Sequence, residues 1–324
     1  MSNILLNRPI LRIMPALMVL PNDRGRSTAM NDQPRSLASL LFPVGILLIA
    51  MASIQTGASL AKSLFPLVGA QGTTTLRLTF ASVMLILILR PWRARLTAKS
   101  LRTVVIYGMS LGGMNFLFYM SLRTVPLGIA VALEFIGPLT VVLISARRAV
   151  DFIWIALATL GLLLLIPMGV GSANIDLIGI GYALSAGVCW GLYILFGQKA
   201  GADNGIQTAA LGVLIAALFM APIGIVHAGS ALLNPALIPT ALGVAILSTA
   251  LPYSLEMMAL TRLPARTFGT LASIEPAFGA LSGLIFLHES LTLTQWFAIA
   301  SIILASVGAT LTTHSKSPTP VPVD

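Results

Sequence analysis

The chain is poor in charge. Of its 324 residues only 9% are Asp, Glu, Lys or Arg, while 57% are hydrophobic. Soluble domains carry roughly 25% charged residues, so a water-facing surface is excluded and lipid must cover most of the molecule. Cysteine is nearly absent. Cys189 stands alone, which excludes an intrachain disulfide and leaves it as a small residue in an apolar stretch. The only histidines, His227, His288 and His314, fall near helix ends or in the tail, so no metal cluster is formed by them. There is no Gly-rich phosphate loop, which excludes a primary ATP-driven pump within this chain. No span-embedded histidine and no aspartate pair is present either, and an enzyme acting on a lipid phosphate would need such a cluster. No cofactor is implied.

What is present is long apolar runs. A membrane span needs about 20 mostly apolar residues. Ten runs qualify: Leu40–Leu60, Thr73–Leu89, Val104–Leu122, Leu127–Ile144, Phe152–Met168, Leu177–Phe196, Thr208–Val226, Ile238–Met258, Thr267–Leu287 and Leu291–Leu311. Breaks such as Arg90-Pro91 and Asn234-Pro235 separate them. In lipid each span must close its own backbone hydrogen bonds, so the expected fold is an all-α membrane protein. Residues 1–36 form an N-terminal arm, whose apolar run between Pro9 and Pro21 is too short to span. Either Met30 is the true start or the arm lies at the interface. The tail over 313–324 is Pro- and Ser-rich and reads as disordered.

The formal charge of +9 raises nucleic acid as a partner, and the placement of the charges removes it. With the N-terminus inside, the cytoplasmic segments hold Arg8, Arg12, Arg24, Arg26, Arg35, Arg90, Arg93, Arg95, Lys99, Arg102, Arg147, Arg148, Lys199, Arg262, Arg266 and Lys316. Only Lys62, Arg77 and Arg123 fall elsewhere. Basic residues retained on the cytoplasmic side set topology. The reading is a bacterial inner-membrane protein in the lipid bilayer with both termini cytoplasmic and no nucleic-acid partner.

Two stretches match at a constant offset of 138 residues. Met120 pairs with Met258, Leu122 with Leu260, Pro126 with Pro264, Leu133 with Leu271, Pro138 with Pro276, and Asp151 with Glu289. Halves of five spans must lie oppositely in the membrane, so the expectation is ten transmembrane helices as two inverted five-helix repeats. Such repeats carry the substrate near the midplane in alternating-access transporters. The first repeat places spans 1–4 over 37–149, with span 5 over 150–170; the second holds spans 6–10 over 171–312. Pro138 and Pro276 fall inside spans 4 and 9, where each invites a kink. The pairs Gly108/Gly112, Gly187/Gly191 and Gly279/Gly283 permit close helix contact and specify no substrate.

Ionisable residues inside spans cost roughly 2.5–3.5 kcal/mol at the helix centre and are functional candidates by default. Glu134 in span 4 and Glu275 in span 9 are the sharpest pair. A carboxyl held away from water can take up and release a proton near neutral pH, and it can equally bind a substrate ammonium or simply pack against a neighbouring helix. Glu256 lies near the end of span 8, within reach of the interface. Lys62 and Arg77 could hold a substrate carboxylate, or snorkel to headgroups. Gln55, Asn115, Tyr119, Trp190, Tyr193, Tyr253 and Ser254 are polar or aromatic lining candidates, with interhelical packing as the alternative role. Asn115 and Tyr253 share the 138 offset.

Three segments carry a resemblance: MASIQTGASLAKSLFPLVGA (Met51–Ala70), SLGGMNFLFYMSLRTVPLGIAVALEFIGPL (Ser110–Leu139) and AILSTALPYSLEMMALTRLPARTFGTLASIEPA (Ala245–Ala277). They resemble the bacterial threonine and homoserine exporters, in the EamA group of the drug/metabolite transporter superfamily. The likeness runs from about Pro43 to Thr312. It implies an inner-membrane exporter of those amino acids, driven by proton antiport, with a small amino acid and protons as partners and no enzymatic activity. It brings no assigned set of site residues. A carrier of another small metabolite or drug, a membrane enzyme and a passive channel stand as rivals, since fold alone does not choose a substrate.

Overall fold

The computed structural model describes residues 37–94, 96–143, 149–165, 176–260 and 271–312. The arm with Met30, the Arg147–Arg148 pair, Pro264, Arg262, Arg266 and the tail lie outside the described residues. So do the ends of spans 4 and 5 and the start of span 9.

The described elements are helices and turns, with no strand among the described residues. In chain order they are α1 (Leu37–Lys62), α2 (Phe65–Leu89), α3 (Ala98–Ser121), α4 (Leu127–Leu143), α5 (Ala149–Leu165), α6 (Leu177–Asn204) and α7 (Gln207–Ala228). They continue with α8 (Ile238–Ala245), α9 (Leu251–Leu260), α10 (Glu275–Leu287) and α11 (Leu293–Thr312). Six described helical stretches are long and apolar enough to cross a membrane: Val44–Lys62, Phe65–Leu89, Ala98–Ser121, Leu177–Asp203, Gln207–Leu233 and Pro235–Glu256. Four more, Leu127–Thr140, Phe152–Leu164, Glu275–Leu287 and Leu293–Gly308, are apolar but shorter. The outer faces carry large exposed apolar side chains. Val226 is 88% exposed, Leu177 71% and Phe152 65%, an arrangement that water would penalise and lipid does not.

Span 2 is longer than the sequence suggests. Its helix begins at Phe65 rather than Thr73 and passes through a kink at Gly69, where φ is 69° and ψ 173°. Only glycine adopts that backbone freely, and a Cβ there would also meet the His227 ring. Composition hid this start because Gly69, Gln71 and Gly72 read as a break.

Span 9 also differs from expectation. Ile274 caps a helix that starts at Glu275, with Pro276 in its first turn. A proline there loses nothing, because the first N–H groups of a helix have no intrahelical partner. Pro276 is therefore a helix starter and not a mid-span kink. Pro138, by contrast, does sit inside α4. It has no N–H to give the carbonyl of Glu134 four residues back. That carbonyl faces α6, where a Cβ on Gly187 would come 2.5 Å from it. A Cβ on Gly137 would in turn collide with the Gly187 backbone. Two glycines thus let α4 and α6 approach closely enough to fix Glu134 in depth.

The remaining contacts assemble the bundle. α2 packs along α7, α3 along α6 and α7, α4 along α6 and α10, and α5 along α11. Gly108 and Gly112 of α3 face Ile215 and Ala216 of α7, and Gly279 of α10 faces Val131 of α4. Between α8 and α9 the chain makes one π-helical turn, Ile246–Ala250. Such turns widen a helix locally and recur at functional sites. α1 crosses this turn: Ser53 donates to the Leu247 carbonyl at 2.7 Å, and Gly57 abuts Ser248.

Candidate functional site

α1, α2, α3, α4, α6, α9 and α10 converge on one small cavity. Its polar lining consists of Gln55, Arg77, Asn115, Glu134, Trp190, Tyr193, Tyr253, Glu256 and Glu275. Ile54, Ala58, Met114 and Phe118 supply the apolar wall. Nine of the twelve residues singled out in sequence therefore line this cavity, Glu256 among them, and only Lys62, Tyr119 and Ser254 do not.

Each polar side chain has a reason for its place. Glu134 and Glu275 are both 7% exposed, the first held by the α4–α6 glycine contact and the second by the restart of α10. Gln55 donates through Nε2 to Glu275 Oε1 at 3.1 Å. Asn115 donates to the Leu111 carbonyl at 2.7 Å and to the Tyr253 hydroxyl at 3.3 Å. Tyr193 stacks on Tyr107 with ring centroids 5.0 Å apart, and Trp190 meets Phe135 edge-on at 5.7 Å. Aromatic pairs of this kind hold rigid walls.

Arg77 is 2% exposed, although it carries a fixed charge. Its Nη1 donates to the Tyr119 hydroxyl at 2.8 Å and to Ser248 Oγ at 3.2 Å. The guanidinium also lies 4.7 Å from the centre of the Tyr119 ring, within cation–π range. Tyr119 itself is fully buried and stands behind Arg77 rather than on the cavity wall. Ser248, from the π turn, was not legible as a site residue. Its one sequence signal is Ser110, which lies 138 residues earlier.

Lys62 and Ser254 are elsewhere. Lys62 Nζ sits 2.7 Å from Glu289 Oε1 in an ion pair, and Glu289 Oε2 accepts the Leu127 N–H at 2.7 Å. Lys62 is thus neither on the cavity nor free to reach headgroups. Ser254 back-bonds to the Ala250 carbonyl at 2.6 Å. The pairing of Lys62 with Glu289 spans 227 residues and left no local signal.

Three pairs of lining residues are separated by the same 138 positions: Gln55 and Tyr193, Asn115 and Tyr253, Phe118 and Glu256. Asn115 and Tyr253 touch each other directly. The lining as a whole has one guanidinium, three carboxyls and several neutral donors and acceptors around a small space. That set can hold a small zwitterion, which brings one charge of each sign, and no nucleophile–base pair is assembled in it.

Comparison with known proteins places this architecture. The EamA-like transporter family matches residues 177–311. The threonine/homoserine exporter RhtA of Escherichia coli strain K12 is 60% identical over 275 residues, covering 85% of this chain and 93% of that protein. The chain belongs to the RhtA family of EamA-like transporters. It is a multi-pass inner-membrane transporter, not an enzyme. The RhtA of Salmonella typhimurium strain LT2 is also 60% identical, over 83% of this chain and 92% of its own length. A solved protein structure, 21% identical, shares the fold with a TM-score of 0.55 over 82% of this chain and 96% of its own.

Proposed function

We propose that this protein exports threonine and homoserine across the inner membrane by alternating access coupled to inward proton movement. The observation that carries the reading is the cavity itself, which combines one buried guanidinium with three carboxyls. Threonine and homoserine are zwitterions with a short hydroxylated side chain, and they fit that complement of charge and polarity. The RhtA relatives are named as exporters of these amino acids.

Three carboxyls facing one guanidinium at low dielectric cannot all be ionised without strong mutual repulsion. Protons or a substrate ammonium must neutralise the excess. Competition between the two for Glu134, Glu256 and Glu275 gives exchange of substrate for proton. The architecture we assign is ten spans in two inverted repeats of five with both termini cytoplasmic. Support comes from the pairing of α2 with α7, α4 with α10 and α5 with α11, each joining a helix to its counterpart five spans on. The three 138-spaced pairs in the lining point the same way. Inverted repeats rocking about a midplane site produce alternating access.

The test loads cells lacking their own threonine exporters with threonine or homoserine and follows efflux with and without this protein, and with and without a protonophore. Faster efflux that the protonophore abolishes is expected. Unchanged efflux with the protein present in the membrane would reject the substrate assignment. Faster efflux indifferent to the protonophore would reject proton coupling alone.

A further inference from the structure

The guanidinium of Arg77 is half used. It has five N–H groups in a rigid planar fork. Both hydrogens of Nη1 are committed, one to the Tyr119 hydroxyl and one to Ser248 Oγ. Nε and Nη2 are buried and find no hydrogen-bond partner among the described residues. The ion pair between Lys62 and Glu289 is the one formed among the described residues, so no carboxylate lies within ion-pair distance of Arg77, although three line the same cavity. A buried donor without a partner costs about 1–3 kcal/mol, more when it is charged. Burying a residue of the cavity lining to 2% exposure with three such N–H groups unmatched is poor construction for a purely structural arginine.

The open groups are also in a useful arrangement. Nε–H and one Nη2–H lie on the same edge of the guanidinium and point in parallel. That edge matches the two oxygens of a carboxylate in a two-point, charge-assisted contact. Tyr119 and Ser248 hold the opposite corner, Tyr119 through its hydroxyl and its ring face. Ser248 is itself oriented, since it donates to the Val244 carbonyl at 2.7 Å and so offers Arg77 a lone pair. The π turn that carries Ser248 is what brings this hydroxyl inward.

Resting on the exporter reading above, we propose that the Nε–Nη2 edge of Arg77 seats the α-carboxylate of the transported amino acid, with Tyr119 and Ser248 as the residues that aim it. A free carboxylate is then obligatory in the substrate. Amino-acid amides and amino alcohols, which keep the ammonium and the side-chain hydroxyl, are excluded. The seat joins α2 to the turn between α8 and α9, so occupancy ties these two elements together.

The experiment is counterflow of labelled threonine in proteoliposomes holding the purified full chain, with unlabelled threonine and threonine amide as competitors. The amide is expected to compete at least about 100-fold more weakly than threonine, because the two-point contact is lost. Arg77→Lys keeps the charge but not the fork, and is expected to raise KM about 10-fold or more. Tyr119→Phe and Ser248→Ala are expected to raise KM about 3- to 10-fold with the maximal rate retained and with weaker discrimination against the amide. A merely structural arginine would alter yield and thermal stability in Arg77→Lys and leave KM and the amide ratio unchanged, and that result overturns the proposal. Amide competition equal to that of threonine in the wild-type protein also overturns it, whatever the variants do. Absence of threonine and homoserine counterflow by the wild-type protein overturns the exporter reading, and the seat falls with it.

Discussion

The molecule contains two polar clusters built across distant parts of the chain, and they are finished to different degrees. At the ends of α1 and α10, Lys62 and Glu289 pair at 2.7 Å, and the second oxygen of Glu289 takes the Leu127 N–H that opens α4. Every strong group in that clasp has a partner. In the central cavity Gln55 Oε1 and the Nε and Nη2 of Arg77 have none among the described residues, while three carboxyls share the same wall. Native interiors satisfy their polar groups almost completely. A finished cluster therefore reads as a fastener, and an unfinished one as a place that something else completes. Lys62 and Arg77 look alike in sequence, as lone basic residues in early spans, and this difference separates them.

The comparison can be broken in a definite order. The largest effect is expected in the cavity. Glu134→Gln and Glu275→Gln should each cut threonine efflux at least about 100-fold, since an intramembrane ionisable residue is retained at a cost and for a task. Their thermal unfolding in detergent should shift little, and a loss of folding equal to the loss of efflux would place these carboxyls among the fasteners. Next comes Glu289→Ala, which strands both Lys62 and the Leu127 N–H. Leaving such groups unsatisfied costs about 1–3 kcal/mol, so the unfolding temperature should fall while the KM for threonine holds. Lys62→Met removes the pair and spares the cap on α4. With side chains 24% and 15% exposed the pair is partly screened, and the expected loss is about 0.5–1 kcal/mol. A Lys62→Met variant that loses threonine transport with normal stability would move Lys62 back into the site. The smallest effect is that of salt. Raising ionic strength should narrow the stability gap between the wild-type protein and Lys62→Met, because screening acts on the exposed part of the pair.

Much of the site was legible beforehand because lipid makes polar residues conspicuous. Glu134, Glu275, Gln55, Asn115 and Tyr253 stand out in apolar runs, and the structure gathers them. Glu256 was legible as a site candidate, with reach to the interface as the competing role, and its depth in the cavity follows from how α9 is placed. Ser248 and Phe118 are ordinary residues in a span until a neighbour gives them a role. The restart of the chain at Glu275 was hidden by Pro276, because a proline inside an apolar run fits a kink and a fresh helix equally well.

The sequence by itself determined that this is a helical multi-pass membrane protein, since 9% charge cannot coat a surface in water and apolar runs of this length cannot stay in it. It also determined which rare polar residues carry a cost that function has to justify. Only the tertiary structure decided which of them meet. The Gly137–Gly187 approach sets the depth of Glu134, and the π turn brings Ser248 to Arg77. Glu289, 227 residues away, takes Lys62 out of the cavity. These are contacts between residues far apart in the chain, and their geometry is fixed by helix packing, which no local pattern encodes.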